Sequence, residues 1–128
     1  MALALTLHGY VAYAVLIAMV ALAGVSGYYL LTRRPPSRGL LTLMWVGEAL
    51  VIAQAVLGAL LWLPGLRAPS DFHYLYGLLA PLVIPAFFAA GRRNPRQLSF
   101  WLLLAALIVL SMGLRSFATA GRPLIPGL

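Results

Sequence analysis

Four apolar runs, each long enough to cross a membrane as a helix, constrain this chain more than any other feature. A hydrocarbon core of roughly 30 Å takes about 20 residues of helix. The sequence supplies such runs at 7–31, 39–63, 72–90 and 98–117. The first stops at Arg33-Arg34-Pro35-Pro36, the second at Pro64-Gly65, and the third before Gly91-Arg92-Arg93-Asn94-Pro95. Ser70 or Asp71 is placed to cap the third. With 63% hydrophobic and 9% charged residues and a mean hydropathy of +0.99, the chain could not give a soluble domain the polar surface it needs. The expected fold is an all-α integral membrane protein: one domain over residues 1–128, a four-helix up-down-up-down transmembrane bundle. Short connections make neighbours in sequence antiparallel neighbours in space.

Charge sets the expected orientation. All nine basic residues are arginines, only Glu48 and Asp71 are acidic, and the net charge is +7. The arginines sit in short loops between apolar runs, which is the pattern of a lipid-facing protein and excludes nucleic acid as the expected partner. Arg33, Arg34, Arg38, Arg92, Arg93 and Arg96 share one face; Arg67, Arg115 and Arg122 share the other. The positive-inside rule puts the first group in the cytoplasm and both termini outside. Arginine used to the exclusion of lysine hints at a GC-rich genome, and a prokaryotic inner membrane is the expected location. The first run lacks a basic n-region and a small-residue cleavage site, so it is expected to remain as a span. Absence of cysteine excludes disulfides and thiolate metal sites. No hydrolytic triad, phosphate loop or zinc-ligand spacing occurs. Gly24 and Gly27 are expected to be close-packing positions.

The chain also divides into two pseudo-repeated hairpins. His8 opens a span that ends in Arg33-Arg34-Pro35, and His73 opens one that ends in Arg92-Arg93-Asn94-Pro95. Gln54-Ala55-Val56-Leu57-Gly58 in the second span matches Val109-Leu110-Ser111-Met112-Gly113 in the fourth. Sites in duplicated membrane folds often lie at the repeat interface. These are the only two histidines in the sequence, and the threading brings both to one face. Each is followed at i+4, one turn deeper on the same side, by a small residue: Ala12 and Gly77. Gly58 and Gly113 would open the bundle from the remaining spans. Two imidazoles facing each other from diagonal helices can hold a haem iron from both sides. The structural alternative is a pair of interfacial histidines.

Haem propionates turned toward water need cationic partners. Arg115, in the last turns of the fourth span, is the first candidate, with Arg67 and Arg122 behind it. Simple snorkelling to lipid phosphate is the competing explanation. Tyr10, Tyr13, Tyr74 and Tyr76 fall at the same level, as an interfacial aromatic belt would. Within the second span, Glu48 is a protonated structural carboxyl, a proton-handling group or a contact to a partner subunit. Gln54 is either interhelical glue or a donor toward a cofactor edge.

The succession His8-x-x-x-Ala12, Gln54-x-x-Leu57-Gly58, His73 after a proline-containing loop, and Gly113-Leu114-Arg115 followed by Thr119-x-Gly121 resembles the haem A synthase family. That resemblance spans nearly the whole chain on short, degenerate motifs. It implies a four-helix haem-binding unit with His8 and His73 as axial ligands and Arg115 near the propionates. The chain departs from the family in three ways. Leu5 stands where the catalytic unit has a carboxylate, the outer-loop cysteine pair is absent, and the Arg-x-Thr-Gly stretch is lengthened between Arg115 and Gly121. The missing carboxylate argues against oxidation of a haem methyl group and for a unit like the non-catalytic half.

The expectation is therefore a membrane b-type cytochrome carrying one bis-histidine haem b for one-electron transfer. It would serve as a subunit of a larger respiratory or photosynthetic complex, with other membrane subunits or a quinone as partners. Three alternatives stand beside it: a cofactor-free structural or assembly subunit, a small transporter centred on Glu48, and a haem A synthase-like enzyme.

Overall fold

The structure, a computed structural model, describes residues 2–120. It is all-helical there, with α1 (Ala2–Leu31), α2 (Arg38–Trp62), α3 (Asp71–Gly91) and α4 (Pro95–Thr119). All four are long and apolar enough to cross a membrane, and the chain is a multi-pass membrane protein. Each helix packs on its neighbours in sequence, and α1 also packs on α4, which closes a square with α1–α3 and α2–α4 as diagonals. The α2–α3 side has the least contact.

Local chemistry sets most of the ends. Ser37, Ser70 and Asn94 are the N-caps of α2, α3 and α4, each accepting a backbone N–H with its side-chain oxygen. Pro95 begins α4, where its missing N–H costs nothing. Helix α1 starts five residues before the expected Leu7, because Ala2–Thr6 continue the apolar run with no competing cap. It ends in a Schellman turn: Arg34 N–H donates to the Tyr29 carbonyl (3.1 Å) and Arg33 N–H to that of Leu30 (3.3 Å). Arg33 takes the left-handed position at φ 55°, where glycine is usual; an arginine there costs roughly 1–2 kcal/mol. At 30 residues, α1 is roughly 45 Å long at 1.5 Å per residue, so it must tilt or project from the hydrocarbon. Helix α3 runs unbroken through Pro81 and Pro85. Lacking an N–H, Pro81 leaves the Gly77 carbonyl without its helical donor, a loss that membrane helices tolerate.

The buried core is confined to one half. Met19, Leu22, Leu40, Met44, Ile84 and Leu102 are all 0–1% exposed. They lie in the middle of the bundle and toward the six-arginine end. Among the described residues none is buried in α1 before Val15, in α3 before Ile84 or in α4 after Val109, and past Val51 α2 buries only Leu61. With no hydrophobic driving force between helices in lipid, close approach comes from small residues. A Cβ on Gly47 would lie 2.7 Å from Met19 Cε, and one on Gly91 2.9 Å from Leu98 Cδ1. Gly24 and Gly27 correct the sequence expectation: no atom lies within 4 Å of a Cβ at either. Glycine spacing shows smallness but not which face a partner occupies.

Candidate functional site

The histidine end is the loosely packed half. His8 enters from the first turns of α1 and His73 from the first turn of α3. Their half-buried rings come together across the diagonal, with centroids 6.2 Å apart and planes at 65°.

Each ring is held by the partner helix of its own hairpin. His73 Nδ1 lies 3.1 Å from the Ser116 carbonyl on α4. A carbonyl can only accept, so Nδ1 carries the proton and, in the neutral ring, Nε2 keeps its lone pair. Ser116 Oγ bonds back to the Met112 carbonyl, leaving its main chain to serve the histidine. The edge of the Tyr74 ring packs on His73 at 5.9 Å, and the Tyr74 hydroxyl accepts the Ala68 N–H at 2.6 Å, tying the α2–α3 loop to the site. On the other side, the Gln54 amide donates to His8 Nε2 at 3.3 Å. Gly58, one turn further along α2, lets the ring lie against the helix: a Cβ there would meet His8 Cε1 at 3.3 Å.

The remaining expected residues fall in different places. Ala12 is half-buried one turn below His8. Gly77 is exposed, with no atom within 4 Å of a Cβ. Gly113 is taken up by helix packing, since a Cβ there would be 2.8 Å from Leu16 Cδ2. Arg115 is exposed near the end of α4. Arg67 is engaged in its own loop, donating to the Trp62 and Leu66 carbonyls and lying 4.1 Å over the Trp62 ring. Arg122 and Gly121 lie outside the described residues. Tyr13 packs on Phe117 at 5.1 Å, while Tyr10 is exposed and Tyr76 stacks on Phe72. Sequence reasoning missed Ser116 and the anchoring of Tyr74. A main-chain acceptor leaves no mark on residue type, whereas Tyr74 stands beside His73 in the sequence but reads equally as a belt tyrosine.

Among the described residues no group of three or more His, Cys, Asp or Glu gathers in one place, so the fold offers two opposed imidazoles rather than a many-ligand centre. Two imidazole–metal bonds of about 2.0–2.1 Å plus the ring radii set opposed centroids roughly 6 Å apart, which the observed 6.2 Å matches. A ring Nδ1–H bonded to a carbonyl is the usual outer-shell support of a metal-binding histidine. Gln54 occupies His8 Nε2 and has to yield that nitrogen for both rings to coordinate through Nε2. Its own Oε1 is buried without a hydrogen-bond partner among the described residues, so the amide is not locked in this arrangement. On spacing, the two imidazoles are compatible with a haem iron between them once Gln54 releases His8 Nε2.

Glu48 stands apart from this end. It is buried in α2 at 4% exposure, and its Oε2 has no hydrogen-bond partner among the described residues. Six residues, roughly 9 Å of helix rise, separate it from Gln54.

No family model matches this chain, and neither a curated protein nor a solved structure does; its functional assignment rests on the geometry of the histidine end.

Proposed function

We propose that this protein is a membrane b-type cytochrome, with His8 and His73 as the two axial ligands of one haem b. The observation that carries the proposal is the meeting of the chain's two histidines, 6.2 Å apart, with His73 oriented by a main-chain carbonyl. When bound, a haem held from both sides supplies one-electron transfer with no open iron position. The chain's own residues do the rest. Ser116 fixes the His73 tautomer and ring orientation. Gln54 holds His8 Nε2 until that nitrogen is released to the iron and then stays beside the ring. Gly58 admits that ring against α2, and Gly77 and Ala12 keep bulk away one turn below the imidazoles. Arg115 offers a cation at the water boundary, where propionates would turn.

In this proposal the six-arginine end faces the cytoplasm of a prokaryotic cell and the haem lies near the outer side of its inner membrane. The protein works as a subunit of a larger membrane assembly, exchanging electrons with a quinol or a neighbouring subunit. The likeness to the haem A synthase family belongs here too, as kinship to a cofactor-holding half, with Leu5 arguing against the catalytic one. A second proposal is favoured by the unpartnered carboxyl oxygen of Glu48: a small proton-coupled transporter. It predicts that Glu48→Gln abolishes activity in proteoliposomes while both histidines are dispensable.

Haem content decides between them. Purified protein should carry about one haem b per chain by pyridine haemochrome assay, and His8→Ala and His73→Ala should each lose most of it while remaining helical. A colourless, folded protein that takes up no added haem would end the cytochrome proposal.

A further inference from the structure

At the opposite end of the bundle a cavity of about 640 Å³ opens between the last turn of α1 and the first turn of α4, lined by Tyr29, Arg33, Arg34, Pro35, Arg96 and Ser99 among others. Three arginines line it, Arg33 and Arg34 from the turn after α1 and Arg96 from the first turn of α4; the Arg34 guanidinium lies 5.8 Å from the centre of the neighbouring Tyr28 ring. Among the described residues no Asp or Glu side chain stands beside these arginines: Glu48 lies within α2, and Asp71 starts α3 at the far end.

Ser99 provides an independent sign. It lines the cavity, is 3% exposed, and its hydroxyl has no hydrogen-bond partner among the described residues. Thr6, Thr32, Ser111, Ser116 and Thr119 satisfy their hydroxyls on the carbonyl four residues back. Ser26 in α1 is buried with no hydrogen-bond partner among the described residues, as Ser99 is, but of the two only Ser99 lines the cavity. A buried hydroxyl is costly unless bonded, so Ser99 brings a donor with no recorded partner to the lining of this arginine-bearing cavity. The Schellman turn adds direction, because it holds Arg33 in a left-handed conformation that glycine would adopt more easily. Tyr29 is already committed, donating to Ser37 Oγ at 2.8 Å, and acts as a wall.

We propose that this cavity binds a phosphate-bearing anion, with Arg33, Arg34 and Arg96 around the phosphate and the Ser99 hydroxyl donating to one of its oxygens. Its position at the ends of two membrane-crossing helices fits the headgroup of an anionic lipid, and basic pockets between membrane helices bind such headgroups. Free phosphate shares the chemistry and is separated by experiment.

The test titrates phosphatidylglycerol into the full, delipidated protein in detergent, followed by native mass spectrometry. One lipid should bind saturably, about fivefold more weakly for each of Arg33→Gln, Arg34→Gln and Arg96→Gln, the equivalent of ~1 kcal/mol per arginine near the surface. Ser99→Ala should weaken it about fivefold again. All three arginines are exposed, so their replacement should leave the fold intact. The Arg92→Gln/Arg93→Gln pair, at the same end but outside the cavity, is the control and should bind normally. Inorganic phosphate titrated alone forms the second arm. Lipid bound with phosphate ineffective identifies a headgroup site; phosphate bound with the same arginine dependence identifies a soluble-ion site. No binding of either probe, or an equal loss in the Arg92/Arg93 control, would overturn the proposal.

Discussion

The two halves of this bundle are packed to different standards. Toward the six-arginine end, Met19, Leu22, Met44 and Leu102 are fully enclosed, and Gly47 and Gly91 let neighbouring side chains press against helix backbone. Toward the histidine end, α1, α3 and α4 bury no residue among those described, and the polar side chains His8, Gln54 and His73 meet between the helices. A protein interior is normally close-packed throughout. A division of this kind separates work: one half supplies stability, and the other keeps its side chains adjustable around a site.

Substitutions in the two halves should therefore dissociate. The largest effect on stability belongs to the packed half: Leu102→Ala, at a fully buried position, should cost about 2–5 kcal/mol. Thermal unfolding in detergent would show it; under the cytochrome proposal haem per folded chain should stay unchanged. Gly113→Leu comes next. It forces a side chain into the space of Leu16 and should cost about 1–3 kcal/mol by overpacking the α1–α4 contact. A neutral result would mean that this boundary is as loose as the histidine end. Gln54→Leu removes the hold on His8 and should change stability by only about 0.5–1.5 kcal/mol. Under the cytochrome proposal Gln54 stays beside the ring it has released, so its loss should also shift the reduction midpoint in potentiometric titration. An unchanged midpoint would reduce Gln54 to interhelical glue.

The smallest stability effect should be at Gly77, and its sign matters. With open space around it, Gly77→Ala should stabilise the helix by about 0.5–1 kcal/mol. If that face carries a macrocycle, the same methyl should lower haem occupancy. Occupancy and stability rising together would show that Gly77 serves only the proline-bearing helix.

Much of the fold is legible in the residues, for reasons that also mark where legibility ends. Span positions follow from the length of apolar runs, and Ser70 announces a helix start because capping is local chemistry. Asn94 and Pro95 carry the same chemistry, yet the expected fourth span begins at residue 98, three residues late. The early start of α1 was not visible, since Ala2–Thr6 carry no signal to begin or stop. Gly24 and Gly27 were misassigned because bareness says nothing about facing direction, while the close contacts at Gly47 and Gly91 depend on the neighbours Met19 and Leu98. At the site, the meeting of His8 and His73 follows from topology: two helices that start at the same end must bring their first turns to one level. The different supports of the two rings do not. The repeat pairs Gly58 with Gly113, yet Gly58 faces His8 and Gly113 faces Leu16. His73 instead uses the Ser116 carbonyl, a group every residue possesses.

The most direct measurement is a reduced-minus-oxidised optical spectrum of the purified protein, recorded beside His8→Ala and His73→Ala. A sharp low-spin b-type band in the parent, lost in both variants while the helical circular dichroism persists, is the predicted result. A parent without that band even after incubation with haem, or a band that survives either substitution, would contradict bis-histidine ligation across the bundle.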